Sequence, residues 1–123
     1  MDILFLDDNP VRLKMFRSAV PSAKMVTTAS ECIEALKEKW DWVFLDHDIG
    51  GEIYASANRA DTGMEVVRHI FDNRPEIGHI VVHSHNVPAA KLMVSLLEDA
   101  QYDVTKSPFS FKSHEIIAEE YIG

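Results

Sequence analysis

The sequence predicts an α/β protein, a doubly wound five-stranded parallel sheet of order 2-1-3-4-5 with helices on both faces. Three observations predict it. Short apolar runs alternate with amphipathic helical patterns from end to end. The third run, WVFL at residues 42–45, is apolar at every position, as a strand covered on both faces is. At 123 residues the chain has length for one such core and not two, so 1–123 is read as a single domain.

The first strand-like run spans residues 3–6. Asn9-Pro10 behind it starts a helix with proline at the first helical position, and Val11, Met15, Phe16 and Ala19 recur at helical spacing. Residues 23–27 form a weaker second strand, after which Ser30 is placed to cap a helix carrying Cys32, Ile33, Leu36 and Trp40. Beyond the third strand, Thr62-Gly63-Met64-Glu65 has the capping-box pattern and opens a helix with Met64, Val67, Ile70 and Phe71 inward. Residues 79–82 are the fourth strand. The helix at 88–100 sets Leu92, Met93, Leu96 and Leu97 on one face, and residues 102–105 make a fifth strand. Ser113 can cap a brief last helix through Ile116 and Ile117. Strands and helices alternating in this way imply right-handed βαβ units. One connection stands out: residues 49–61, IGGEIYASANRAD, are long for a βα loop. Such loops serve as lids, binding loops or tolerated insertions.

Hydrophobic residues make up 46% and charged ones 26%, which argues against wholesale disorder. The formal net charge of −8 argues against non-specific DNA binding and against an anionic membrane surface. It leaves room for a small phosphate-containing ligand where a metal or local cations reverse the field. Cys32 is the single cysteine, so no internal disulfide forms. MDILFLDDNP is not a signal peptide, and no apolar run approaches membrane-spanning length. These features together read as a soluble cytoplasmic protein.

In open parallel sheets, ligands bind outside the carboxyl ends of the strands. Those ends are polar here. The first strand runs into Asp7 and Asp8, and the third into Asp46, His47 and Asp48. The fourth runs into His83, Ser84, His85 and Asn86, and the fifth into Lys106. In the order 2-1-3-4-5 the first and third strands are neighbours, so their acids converge. Two carboxylates about 4 Å apart repel by roughly 4 kcal/mol at an effective dielectric of 20. Something must offset that: a divalent cation, the Lys106 ammonium or retained protons. A hard-oxygen site suits Mg²⁺ or Mn²⁺. Each residue also has a plainer reading. Asp7-Asp8 suits a turn before a helix, Asp48-Ile49-Gly50-Gly51 suits a loop, and either histidine can satisfy itself locally.

The acidic pair, the acid closing strand three, the small hydroxyl residue after strand four and the lysine closing strand five resemble the receiver domains of response regulators. The likeness spans essentially the whole chain and implies the flavodoxin-like fold. It also implies that Asp7 and Asp8 bind Mg²⁺, that Asp46 accepts a phosphoryl group from a partner histidine kinase, and that the Asp48 carbonyl completes the metal shell. Ser84 and Lys106 would contact phosphoryl oxygens. The sequence departs from that pattern in its long loop after LDHDIGG and in Ser107, which separates Lys106 from Pro108. LDHDIG and VHSHN together are similar to a divergent branch, the cyclic-phosphate-processing receiver domains.

That resemblance implies catalysis rather than switching. A phosphorylation switch has no use for imidazoles beside its carboxylates, whereas a phosphoesterase can use them to carry protons near neutral pH. On this expectation Asp7, Asp8 and Asp46, with Asp48, hold Mg²⁺ or Mn²⁺. His47 and His83 are the acid/base candidates, and Ser84, Asn86 and Lys106 orient the phosphate. The substrate is a cyclic nucleotide or an RNA 2′,3′-cyclic phosphate end. Two other readings stay open: a receiver phosphorylated on Asp46, and a degenerate receiver that only binds a partner.

Overall fold

The computed structural model describes residues 1–47, 62–110 and 113–117. Five strands form one parallel sheet: β1 (Ile3–Leu6), β2 (Lys24–Val26), β3 (Trp40–Leu45), β4 (Ile77–Val82) and β5 (Val104–Lys106). The helices are α1 (Pro10–Ala19), α2 (Ala29–Ala35), α3 (Gly63–Asn73) and α4 (Val87–Asp99). The strand order is β2-β1-β3-β4-β5 as predicted. Asp48 and the long connection at 49–61 lie outside the described residues. Among the described residues no helix is long and apolar enough to cross a membrane.

Side chains alternate across a strand, so each strand sorts its residues between two cores. One face is mainly aliphatic: Leu4, Leu6, Val43, Leu45, Ile80 and Val82 pack against buried residues of α2, α3 and α4. The other is aromatic. Ile3, Phe5, Trp42, Phe44 and Val81 pack with Phe16 of α1, Ile117 and the half-buried Phe109. Phe5 stacks on Phe16 with ring centroids 4.2 Å apart, and Phe16 meets Phe44 at 4.9 Å.

Several elements differ from the sequence expectation, each for a local reason. The N-cap of α2 is Thr28 rather than Ser30. The Thr28 hydroxyl accepts from the Glu31 amide at 3.1 Å, and the Glu31 carboxylate reaches back to the Thr27 amide at 3.1 Å. Trp40 opens β3 instead of riding on α2. Its indole nitrogen donates to the Ala35 carbonyl at 2.8 Å, and its amide donates to the Glu76 carbonyl. The buried face of α1 is turned by about one residue from the predicted stripe: Leu13, Phe16 and Val20 join the aromatic core, while Val11 is exposed. Polar ends outlined that helix better than its apolar residues did. Asn9 caps it, accepting from the Val11 and Arg12 amides at 3.0 and 3.2 Å.

Candidate active site

Strand register carries the aromatic face straight into a polar cluster. Phe5 pairs with Phe44, and Phe44 with Val81. Two residues further along, on the same face, stand Asp7, Asp46 and His83. The His83 amide extends the ladder by donating to the Leu45 carbonyl at 2.9 Å. All three side chains are closed to solvent, with exposures of 0%, 1% and 0%. Each offers one ligand atom, and the three atoms lie within 4.8 Å of one another.

Arg12 completes the group. Its Nε lies 3.0 Å from Asp7 Oδ2, and its Nη2 lies 3.5 Å from Asp46 Oδ2. The guanidinium also rests over Phe109, 6.0 Å from the ring centroid. Its side chain is 23% exposed, so it reaches solvent where Asp7, Asp46 and His83 do not. The Asp7 carboxylate is held from several sides. Oδ1 accepts from the Asn9 amide at 2.9 Å, and Oδ2 lies 3.1 Å from His83 Nε2. Burial pushes its pKa up, but the hydrogen bond and charge of His83, the Asn9 amide and Arg12 together hold it below the usual carboxylate value.

An ionised carboxylate only accepts, so His83 Nε2 carries the hydrogen in this contact. His83 Nδ1 is buried and finds no hydrogen-bond partner among the described residues. The ring lies flat on Phe5 at 4.8 Å and edge-on to Phe109 at 6.0 Å. This imidazole is fixed in orientation by aromatic walls, with its polar edge aimed at Asp7.

The other expected site residues are distributed around this cluster. Asp8 is half-buried beside it in sequence. His47 is fully buried, its amide donates to Asp46 Oδ1 at 2.9 Å, and its Nδ1 lies 3.5 Å from Asn86 Nδ2. Asn86 caps α4, and the Ser84 hydroxyl accepts from the Asn86 amide at 3.1 Å. Ser84 and Asn86 thus shape the turn into α4. Lys106 pairs with Val82, one residue short of the row that holds Asp46 and His83, and its side chain is exposed. Among the described residues no ion pair joins it to Asp7 or Asp46; Arg12 makes those pairs instead. Asp48 lies outside the described residues.

Sequence reasoning overlooked Arg12 and Gly63. Arg12 stands one helical turn before Phe16, so an inward Phe16 already implied an inward-leaning Arg12 above it. Gly63 lets the start of α3 lie against the end of β3. Its amide donates to the His47 carbonyl at 3.0 Å, and a Cβ there would run into the Asp46 carbonyl oxygen.

Comparison with known proteins agrees with this architecture. The family described as cyclic-phosphate processing receiver domain matches residues 2–99. Solved structures with the same fold include a response regulator from Colwellia psychrerythraea, 11% identical, with TM-score 0.65 over 98% of this chain and 94% of that one. Another is the isolated receiver domain of RcsB from Salmonella enterica serovar Typhimurium with a beryllofluoride phosphomimetic. It is 14% identical, with TM-score 0.58 over 100% of this chain and 89% of that one. None of the curated proteins compared is a match.

Proposed function

The chain belongs to the cyclic-phosphate processing receiver family, and from that premise we propose that it is a divalent-metal-dependent phosphoesterase. Its substrates are cyclic phosphates, either cyclic nucleotides or the 2′,3′-cyclic phosphate ends of RNA. The observation that supports this reading best is the imidazole of His83 set against Asp7, in the row that also holds Asp46.

The donor set fits a cation. Two buried carboxylates within 4.8 Å repel by roughly 3 kcal/mol at an effective dielectric of 20. Among the described residues the two buried acids share the Arg12 guanidinium, and Asp8 stands next in the chain, so an anionic phosphate would be helped by a further positive charge. Asp7, Asp8 and Asp46 are the residues to hold Mg²⁺ or Mn²⁺, which would supply charge neutralisation and polarise the phosphoryl group.

The chain's own residues then do the following. His83 holds a proton at Nε2, with Asp7 balancing the charge that develops on the ring, and Phe5 and Phe109 exclude water behind it. Hydrolysis of the cyclic ester forms one P–O bond from water and breaks one ring P–O bond. The departing oxygen takes up a proton, and the water gives one up. His83 is the group proposed to carry a proton in that exchange, taking it up and returning it at Nδ1 while Nε2–H stays on Asp7. Asp46 orients the phosphoryl centre, held by the His47 amide.

The test is direct. Protein with Mg²⁺ or Mn²⁺ is incubated with 2′,3′-cyclic and 3′,5′-cyclic nucleotides, and ring opening is followed by phosphorus NMR. Turnover lost in Asp46→Asn and His83→Gln is expected; wild-type turnover no greater than that of Asp46→Asn rejects the reading. A second reading, phosphorylation of Asp46 by a histidine kinase, is favoured by the receiver fold and by Asp46 standing just past β3. It predicts that acetyl phosphate or beryllofluoride modifies Asp46. A pocket unchanged by either reagent removes it.

A further inference from the structure

We propose that Arg12 is a built-in counter-ion that competes with the divalent cation for Asp7 and Asp46, and so sets the cation concentration at which the site loads. This rests on the metal-dependent reading above. The guanidinium spans the two carboxylates that a cation would draw on, contacting Asp7 Oδ2 and Asp46 Oδ2, while Asp7 Oδ1 and Asp46 Oδ1 accept from the Asn9 and His47 amides. A cation and this bridge cannot both hold both Oδ2 atoms.

The bridge is built to be displaced. Arg12 Nε lies 3.0 Å from Asp7 Oδ2 yet makes no hydrogen bond, because its N–H is not directed at the oxygen. The second contact is long at 3.5 Å. Arg12 therefore neutralises charge without the aligned fork that makes arginine–carboxylate pairs strong. Small divalent cations bind carboxylate oxygens at about 2.1 Å, far closer than any guanidinium contact. The partners also differ in freedom. Asp7, Asp46 and His83 are enclosed, whereas Arg12 is 23% exposed at its side chain and has a route to solvent. Its backbone stays put, since Asn9 Oδ1 accepts from the Arg12 amide at 3.2 Å. The side chain swings and the helix does not.

The experiment measures Mn²⁺ affinity by electron paramagnetic resonance for wild type, Arg12→Gln and Arg12→Lys, alongside thermal unfolding with and without Mn²⁺. Arg12→Gln is expected to bind Mn²⁺ about tenfold tighter, to unfold at lower temperature than wild type without the ion, and to gain more from adding it. Arg12→Lys, a point charge unable to span both carboxylates, falls between. In the wild type, which needs no substitution, the Arg12 Nε–Hε resonance shifts as Mg²⁺ is added. Equal or weaker binding by Arg12→Gln while the wild type binds Mn²⁺ overturns the competition and leaves the metal reading intact. No binding by either protein removes the metal reading, and this proposal with it.

Discussion

Asp7 remains charged in a buried setting because two hydrogen bonds, from the Asn9 amide and His83 Nε2, and the nearby Arg12 guanidinium charge offset its burial. Its folded pKa is lowered from an ordinary value of 3.8, so its contribution to stability is present above about pH 3.8 and is lost as pH falls through the lower folded value. Asp7→Asn is accordingly expected to be less stable than wild type at pH 7, with the difference shrinking below pH 3.8; urea titrations at pH 7 and pH 3 check this. Gly63 answers to sterics instead. Gly63→Ala drives a methyl into the Asp46 carbonyl, at the typical overpacking cost of about 1–3 kcal/mol. It should also disturb the His47–Gly63 hydrogen bond, visible as a shift of the Gly63-position amide in NMR. At this scale the sequence was informative about acids and imidazoles because strand ends collect them, and Asp7, Asp46 and His83 do meet. It was uninformative about Arg12, which lies among the other basic residues of α1, Lys14 and Arg17. It placed Lys106 at the end of the fifth strand, where the residue pairs with Val82 and is exposed.

Elements were legible where a polar cap and an apolar run coincide, and less so where two caps compete. Ser30 and Thr28 both precede the apolar part of α2, and the reciprocal bond from Glu31 decides for Thr28. Thr28→Ala is expected to cost about 1 kcal/mol and Ser30→Ala a few tenths at most, read from urea midpoints. The same cap is sensitive to pH. The Thr27 backbone and hydroxyl bonds hold the Glu31 carboxyl below its usual 4.5, so this exposed support is present above about pH 4.5 and weakens as pH falls through the lowered value. At the start of α4, Asn86 has two duties, capping the helix and facing His47. Asn86→Ala should therefore cost more than Thr28→Ala in the same assay, because it also strips a neighbour from a fully buried ring. β3 was legible as buried but not as sorted: WVFL reads apolar throughout, and only the register separates Trp42-Phe44-Asp46 from Val43-Leu45-His47.

At the scale of the whole molecule the sheet separates two environments. The carboxylates extend the aromatic face, while Cys32 lies fully buried among the aliphatic residues of the other. Burial pushes the Cys32 thiol up to about 12, so at pH 8 only about one molecule in ten thousand carries the thiolate that thiol reagents need. Labelling of Cys32 should then proceed through opening of the fold, with a urea dependence that follows loss of far-ultraviolet circular dichroism. Fast labelling in native buffer would mean that α2 opens alone. Because the thiol touches no part of the carboxylate cluster, it reports on a cation only through the stability of the entire sheet. A ligand that binds the folded chain alone, at one hundred times its Kd, stabilises by about 2.7 kcal/mol, which corresponds to about hundredfold slower labelling. Mg²⁺ or Mn²⁺ should produce that slowing in the wild type and lose the effect in Asp7→Asn. Slowing that persists in Asp7→Asn would place the cation elsewhere on the molecule.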